Sequence, residues 1–235
     1  MKEVVRSLVR RTGFDIVPFD AARLGLITRL LNSEAIDLLV DVGASRGQYG
    51  RKMRALGYRG EMFSIEPARE PFRILERSAS IDPRWTALRC ALGSSEGSMQ
   101  LNLSRNSVSS SLLQIESLHV DIDPESAVVG EETVDVRRLD DVLSGRIASR
   151  IWLKVDVQGY ERVVLDGATQ NLARVSVLEM EISLRRLYDG GVSYIEMLSL
   201  CERAGFTPIS FEPAFVDPHS GETLQMDVLF ARRDR

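Results

Sequence analysis

The stretch DVGASRGQYG (residues 41–50) decides the fold, because it places three glycines directly after an apolar run. The run LLVDV (38–42) has the composition of a buried strand, and QYGRKMRAL (48–56) has helical periodicity. Glycine raises the entropic cost of ordering a chain, so this concentration needs a reason. Either the chain makes a tight turn here, or its backbone must come close to a ligand.

Strands and helices alternate along the rest of the chain. Strands are predicted at 61–65, within 85–92, and at 151–155 and 175–182, and helices at about 71–80, from Glu161, and at about 193–205. This alternation predicts an α/β protein with a doubly wound, mostly parallel sheet. The last two strands, 207–211 and 226–231, are joined by a loop rich in Pro, Gly and Ser and predict an antiparallel hairpin at one edge.

Two helical patterns precede the first strand. Residues 1–12 carry Val4, Val5 and Leu8 on one face, which indicates a helix packed on its own domain or on a partner, including a homodimer contact. The segment is short and lacks Trp or Phe anchors, so docking on a membrane surface is the weaker interpretation. With a second pattern at about 21–31, we divide the chain into a helical extension (1–32) and a main domain (33–235).

The composition excludes several functional classes. The 34 acidic and 30 basic residues give a net charge of −4, which gives no electrostatic reason to expect a nucleic-acid-binding protein. Cys90 and Cys201 have no metal-type spacing and predict buried, reduced thiols in a cytoplasmic protein. Only two histidines are present, which disfavours a histidine-rich zinc site, and no apolar run has the length of a membrane span.

The second strand ends in Glu66-Pro67, and Glu66 follows Gly43 by 23 residues. Ligands of open parallel sheets bind beyond the carboxyl ends of the strands. An acidic side chain roughly 20 residues past a glycine turn can accept hydrogen bonds from both hydroxyls of a ribose. The pair therefore predicts a nucleoside site, for either a dinucleotide or S-adenosylmethionine.

The glycine spacing favours one of these ligands. Gly43, Gly47 and Gly50 form G-x-x-x-G-x-x-G, whereas the dinucleotide fingerprint is G-x-G-x-x-G. Asp41 is placed to meet the ammonium group of S-adenosylmethionine, directly or through water. A nicotinamide-dependent oxidoreductase remains the alternative, and a purely structural turn with Glu66 as a surface charge is a third interpretation.

Charged residues end the fourth strand in LKVDVQGYE (153–161). Lys154 and Asp156 would be costly inside an apolar strand without partners, so we expect them to face the site. Asp156 could accept the proton of a substrate hydroxyl, hold a divalent cation, or bind the cofactor amine. Gly159 allows a close turn, and Glu161 begins the next helix, where its carboxylate suits either the helix dipole or the site.

A serine-rich stretch (106–113) lies between the third and fourth strands. It is either an ordinary loop or a source of Ser109, Ser110 or Ser111 to the cofactor carboxylate or substrate hydroxyls. His119 is a candidate base near neutral pH, although a single histidine without a visible partner is more often structural.

Two acidic residues end the fifth strand. Strand alternation places Glu179 and Glu181 on the same face, where one could approach the substrate or a cation. Asp156 is the first candidate for the catalytic base, with Glu181 and His119 behind it. Asp156 and Glu181 are also the candidate ligands of a divalent cation such as Mg²⁺.

Six motifs together resemble the FkbM-type methyltransferases, in the order typical of that family. They are DVGASRGQYG, SIEPAREPFRIL, ALRCALGSSEGSMQLN, SVSSSLL, VRRLDDVL and LKVDVQGYERVVLDGA. The resemblance runs from about residue 38 to the end. It implies a class I methyltransferase fold, which is a Rossmann-like seven-stranded sheet with an antiparallel last strand. It also implies S-adenosylmethionine as donor and transfer to a hydroxyl oxygen of a sugar, glycolipid or polyketide-type natural product.

The resemblance carries over to individual residues. It implies that the following bind the cofactor: Asp41, Gly43, Ala44 and Gly47 in the first motif, Glu66 at the ribose, Ala91 and Leu92 beside the adenine, and Asp156 in the fourth-strand motif. Neighbouring Ser45 and Pro67, with Ser109, complete the predicted cofactor set. Two positions depart from the common pattern, which has Asn at Ser45 and Glu at Gln158. The second departure removes one metal ligand or base, and it leaves open a non-catalytic module that binds S-adenosylmethionine.

Overall fold

The computed structural model describes Thr12 and residues 23–232. The chain divides into two compact units, Met1–Ala35 and Ile36–Arg235. In the first unit, helix α1 (Arg23–Ser33) extends two residues beyond the predicted pattern. The helix predicted over 1–12 lies, apart from Thr12, outside the described residues, so the helical extension stays a prediction. No helix among the described residues has the length and apolar character needed to cross a membrane.

The second unit is built on a seven-stranded sheet. Its spatial order is β3 (Trp85–Leu88), β2 (Glu61–Ile65), β1 (Leu38–Val42), β7 (Ile151–Val155), β8 (Val175–Ser183), β10 (Thr223–Arg232) and β9 (Phe206–Val216). The first five strands are parallel, and β10 runs antiparallel to both of its neighbours. This topology confirms the class I methyltransferase fold, including the hairpin at one edge.

Short helices follow most of these strands, with bounds set by local sequence. They are α2 (Gln48–Ala55), α3 (Arg69–Ser80), α4 (Ser117–Ile122), α5 (Leu139–Val142), α6 (Glu161–Asp166) and α7 (Tyr194–Arg203). Helix α7 begins with a capping box between Ser193 and Glu196, and ends before Gly205 (φ 88°). Pro71 lies in the first turn of α3, where its missing N–H is tolerated.

The core lies around the two central strands. Every residue of β1 is buried, and four of the five in β7 are buried. Side chains of β8, β10 and α7, among them Met180, Phe230 and Cys201, pack into the same cluster. Apolar burial of this kind stabilises the sheet centre, so the strand ends that carry polar residues sit on a rigid frame.

A second sheet of three strands was not predicted. It consists of β4 (Ala91–Leu92), β6 (Val128–Arg137) and β5 (Gly97–Ser104), in that order. The predicted strand within 85–92 is two strands, because the chain leaves the main sheet after Leu88 and β4 pairs with β6. Strand β6 buries only Val134 and Val136, so its apolar pattern is too sparse to stand out.

Candidate active site

A cavity of about 380 Å³ lies where β1, β2 and β7 end, at the reversal of strand order between β1 and β7. Position at such a reversal is typical of ligand sites in open parallel sheets. Eleven predicted site residues line it: Gly43, Ala44, Ser45, Glu66, Pro67, Ala91, Leu92, Ser109, His119, Asp156 and Glu181. Asp41 and Gly47 are not part of the lining.

The glycine turn after β1 is constrained by protein packing. Gly43 has φ 77°, and a Cβ there would lie 1.8 Å from the carbonyl oxygen of Asp156. A Cβ on Gly50 would lie 2.4 Å from the Trp85 ring, and a Cβ on Gly47 (φ 79°) would lie 3.3 Å from the same ring. The glycines therefore let the turn pack closely against β7 and Trp85, while Ala44 and Ser45 border the cavity.

Glu66 joins the glycine turn to the end of β2. Its Oε2 accepts the backbone N–H of Ser45 at 2.8 Å, and its Oε1 accepts that of Ala68 at 2.8 Å. Burial raises the pKa of Glu66 to about 7. Each carboxylate oxygen keeps a further lone pair, so Glu66 can still accept a hydrogen bond from a ligand hydroxyl.

Asp41 lies in the sheet behind the cavity wall and is fully buried. Nζ of Lys154 is 3.9 Å from its Oδ1, and the Ser64 hydroxyl donates to its Oδ2 at 3.5 Å. Burial raises the pKa of Asp41 to about 6. Its predicted role toward an ammonium group stays a prediction.

Asp156 and Glu181 face each other across the amide of Gln158. Lys154 donates to Oδ2 of Asp156 at 2.9 Å, and the Gln158 amide donates to Oδ1 of Asp156 at 2.8 Å. The same amide donates to Oε2 of Glu181 at 2.7 Å, and its oxygen accepts the Tyr188 hydroxyl at 2.5 Å. Sequence reasoning treated Gln158 only as a lost carboxylate, whereas it connects the two candidate bases.

Burial and charge shift the titration of this cluster. Burial alone would lower the pKa of Lys154, but the carboxylates of Asp156 and Asp41 outweigh it and raise that pKa. Burial raises the pKa of Glu181 well above its ordinary value, and the nearby Asp156 and Asp227 add to the effect. Lys154 is therefore a permanent cation beside Asp156, and Glu181 is disposed to hold a proton.

His119 is buried against two aromatic rings. Its ring meets Tyr188 edge-on at 5.3 Å and lies 5.2 Å from that of Phe215. Burial lowers the pKa of His119, so the neutral imidazole is favoured. The packing supports a structural role, while its position on the cavity keeps it available to a ligand.

The serine stretch is held on both sides. Ser111 pairs with Asn102 of β5 through its backbone, and its hydroxyl donates to the carbonyl oxygen of Gln158 at 2.7 Å. Ser110 accepts the backbone N–H of Ser104 at 3.0 Å. Ser109, Ser110 and Ser111 all line the cavity, so the segment forms one of its walls.

Two further glutamates, Glu161 and Glu179, accept hydrogen bonds from residues around the cavity. Glu161 accepts the backbone N–H groups of Val157 and Gly159 at 3.1 Å each, and burial raises its pKa to about 7. Glu179 accepts the Trp152 indole N–H at 3.2 Å and the Tyr49 hydroxyl. Both carboxylates therefore fix loops and strands around the cavity.

Backbone strain is concentrated at this cavity. Four non-glycine residues in the described part of the chain have positive φ, and three of them, Ser45, Ser107 and Gln158, line the cavity. Such conformations persist where the surrounding structure imposes them, commonly at functional sites. Neither Gln158 nor Tyr188 gave a sequence signal for this arrangement.

The residues proposed from sequence as metal ligands do not form a metal cluster. Within residues 23–232, no three His, Cys, Asp or Glu side chains converge to hold an ion. Asp156 and Glu181 approach each other, but an N–H donor lies between them. This donor set does not fit an oxygen-ligated divalent cation.

Solved structures with a similar fold include several methyltransferases. A Methylobacillus flagellatus FkbM methyltransferase is 16% identical in sequence, with a TM-score of 0.48. The comparison covers 83% of this chain and 43% of that chain. A Burkholderia thailandensis 1,6-didemethyltoxoflavin-N1-methyltransferase with bound S-adenosylhomocysteine is 11% identical (TM-score 0.47; 99% and 85% covered). Aeropyrum pernix fibrillarin with bound S-adenosylmethionine is 11% identical (TM-score 0.47; 88% and 74% covered). This chain thus spans less than half of the Methylobacillus chain.

The family assignment rests on the sequence itself. No curated protein sequence matches the chain significantly. The Methyltransferase FkbM domain matches residues 41–208, from the glycine turn to the first residues of β9. That match covers more than half of the chain and includes every candidate site residue. The chain belongs to the FkbM methyltransferase family.

Proposed function

We propose that this protein is an S-adenosylmethionine-dependent O-methyltransferase that acts on a hydroxyl of a sugar, glycolipid or natural-product acceptor. The observation that carries the proposal is the cavity that joins the Ser45–Glu66 pair to Asp156 at the ends of neighbouring strands. The proposal extends the family assignment to a cofactor and an acceptor class.

The cavity fits an adenosyl cofactor in chemistry and in layout. Glu66 offers carboxylate lone pairs to ribose hydroxyls, and the buried Ala91 and Leu92 offer an apolar wall for a base. Ser45 and Ser109 supply further polar groups to the lining. Bound there, S-adenosylmethionine would supply an electrophilic methyl group.

The acceptor would be activated by Asp156. An alcohol is a weak nucleophile at neutral pH, so a carboxylate that takes its proton assists attack. Lys154 and Gln158 hold the two oxygens of Asp156 at 2.9 and 2.8 Å, which fixes the direction in which the carboxylate accepts. Most of the acceleration would come from this positioning.

Calorimetric titration tests the cofactor. The proposal predicts that the protein binds S-adenosylhomocysteine and does not bind NAD, whereas the nicotinamide alternative predicts the reverse. Tight binding without release of S-adenosylhomocysteine on a broad panel of hydroxylated acceptors would favour a non-catalytic module. The acceptor can be sought by mass spectrometry of the methylated metabolite missing from a deletion strain.

Asp156→Asn tests the base. The amide retains the shape of the carboxylate but cannot take a proton, so turnover should fall by roughly 100-fold or more while S-adenosylhomocysteine still binds. Asp166→Asn is the matched control, because Asp166 is half-exposed on α6 and pairs with Arg162. Loss of cofactor binding in Asp156→Asn would assign Asp156 to the cofactor instead.

A cytoplasmic location and a homodimer stay predictions.

A further inference from the structure

The amide nitrogen of Gln158 lies between the carboxyl groups of Asp156 and Glu181. It lies 2.8 Å from Oδ1 of Asp156 and 2.7 Å from Oε2 of Glu181, and both carboxylates border the cavity. Gln225 adds a second amide donor to the same Glu181 oxygen at 2.8 Å. Two carboxyl oxygens that face each other with only lone pairs between them are unfavourably placed unless a donor or a cation lies between them.

The surroundings fix the direction of this amide. The Tyr188 hydroxyl donates to Oε1 of Gln158, which leaves the N–H₂ group directed at the carboxylates. Reversing the amide would place its oxygen against both Asp156 and Glu181. Ser111 fixes the backbone through the Gln158 carbonyl at 2.7 Å.

The backbone at Gln158 is itself strained. Its φ is 57°, and Gly159 follows with φ 96°. A left-handed conformation is unfavourable for a residue that carries a Cβ. The three side-chain hydrogen bonds of Gln158 stabilise it in this conformation.

We propose that Gln158 is a positioning residue whose amide takes the part of a bridging cation, holding Asp156 and Glu181 in place without a divalent metal. The inference rests on the proposed function only in assigning Asp156 as the base. An amide N–H cannot ligate Mg²⁺ or Mn²⁺, which bind oxygen ligands at such sites. A glutamate at this position would instead bring a third carboxylate into the cluster.

The proposal predicts a gain of metal binding from one substitution. The wild-type protein, freed of metal by chelation, should give no stoichiometric heat on titration with MnCl₂. Gln158→Glu should bind Mn²⁺ at least about tenfold more tightly than wild type, because ligand charge sets affinity at oxygen sites. Its melting temperature should fall in EDTA and recover when MnCl₂ is added.

Gln225→Glu is the matched control. It adds the same charge beside Glu181, but Gln225 donates to Ser183 and not to Asp156. It should therefore bind Mn²⁺ no better than wild type. If Gln158→Glu does not fold in EDTA, it can be folded in MnCl₂ and, separately, in NaCl of equal ionic strength. Only MnCl₂ should then restore the native melting transition.

Three outcomes would overturn the proposal. They are stoichiometric Mn²⁺ binding by wild type, equal binding by Gln158→Glu and Gln225→Glu, and a Gln158→Glu variant whose melting temperature MnCl₂ does not raise above its value in EDTA. S-adenosylhomocysteine titration of the same samples reads the proposed function separately. A wild-type protein that binds neither metal nor S-adenosylhomocysteine would contradict the proposed function. The role of Gln158 would then still be decided by the Mn²⁺ titrations of the variants.

Discussion

The backbone N–H of Ser45 donates to Oε2 of Glu66 at 2.8 Å, so the glycine turn after β1 and the carboxylate after β2 form one hydrogen-bonded unit. The other carboxylate oxygen accepts the N–H of Ala68 at 2.8 Å. Glu66 is therefore fixed before any ligand arrives, and a ligand hydroxyl would meet a prearranged acceptor. Such prearrangement lowers the entropic cost of binding.

Replacing Glu66 should weaken cofactor binding. Glu66→Gln leaves one of the two backbone N–H groups facing an amide N–H₂, and an unsatisfied buried group costs about 1–3 kcal/mol. We expect the affinity for S-adenosylhomocysteine, measured by calorimetry, to fall roughly tenfold or more. Glu70→Gln changes an exposed glutamate on α3 and should leave the affinity unchanged. Equal affinities of wild type and Glu66→Gln would remove Glu66 from the cofactor site.

The stability of the ligand-free protein should fall as pH rises from about 4.5 to about 7. Burial raises the pKa of Glu66 and Glu161 from 4.5 to about 7, and that of Asp41 from 3.8 to about 6. In this interval the folded protein retains protons that the unfolded chain releases, so the free energy of unfolding decreases with pH. Thermal unfolding across the interval measures it.

The same measurement on variants assigns the effect to individual groups. Glu66→Gln and Glu161→Gln cannot ionise at these positions, so each should flatten the pH dependence. A melting temperature that rises with pH through this interval would contradict the assignment to buried carboxyls.

Gly43 and Gly145 form a matched pair for testing the close approach of β1 and β7. Both have φ 77°, but a Cβ on Gly43 meets the Asp156 carbonyl at 1.8 Å, whereas one on Gly145 meets nothing within 4 Å. Gly145→Ala should cost about 1–2 kcal/mol for its backbone conformation alone. Gly43→Ala should cost more than about 4 kcal/mol in denaturant unfolding. Similar losses would mean that the turn moves easily away from β7.

Ser111 should limit the mobility of the serine-rich segment (residues 106–113) that forms one wall of the cavity. Ser111→Ala removes the hydrogen bond to the Gln158 carbonyl at 2.7 Å, worth about 1 kcal/mol, and the one that the hydroxyl accepts from the Leu113 backbone N–H at 3.0 Å. We expect faster hydrogen exchange across residues 106–113 than in wild type. Ser110→Ala is the comparison, because Ser110 bonds within β5 and its own loop. If the backbone amides of residues 106–113 exchange hydrogen at the same rate in both variants, the contact between Ser111 and Gln158 does not fix this segment.

The two thiols should be unreactive in the folded protein. Cys90 and Cys201 are free and buried, as predicted, and burial raises their pKa to about 11 and about 12. Because the thiolate is the reactive form, neither should react with a disulfide reagent near neutral pH, and both should react after unfolding. Rapid labelling of native Cys90, which lines the cavity, would show that the cavity opens more widely.

Local patterns were sufficient to predict the frame of the site. The apolar run of β1, the glycine turn and the spacing to Glu66 all lie within 30 residues, and they correctly predicted the strand and the turn. In the structure Glu66 is hydrogen-bonded to that turn. Polar residues at the ends of buried strands, such as Asp156, were predicted at the cavity for the same reason. Parallel strands bring such ends together whatever the intervening sequence.

The partners within the site could not be predicted in this way. Gln158 meets Glu181, Tyr188 and Ser111, which come from a strand and two separate loops. No period or spacing in the chain encodes which loop residues converge. Strands β5 and β6 were missed for a related reason, since a half-exposed strand carries only a weak alternation; in β6 the alternating Val134 and Val136 were the available signal.

Both tryptophans of the chain donate their indole N–H to groups beneath the cavity. Trp85 donates to the Ser64 hydroxyl at 3.0 Å, and that hydroxyl donates to Asp41. Trp152 donates to Glu179, and Glu179 also accepts a hydrogen bond from Tyr49 in the cavity lining. All of the tryptophan fluorescence of the chain therefore comes from these two side chains. A change in emission on adding a ligand would report on these carboxylates, and Trp85→Phe and Trp152→Phe would separate the two signals.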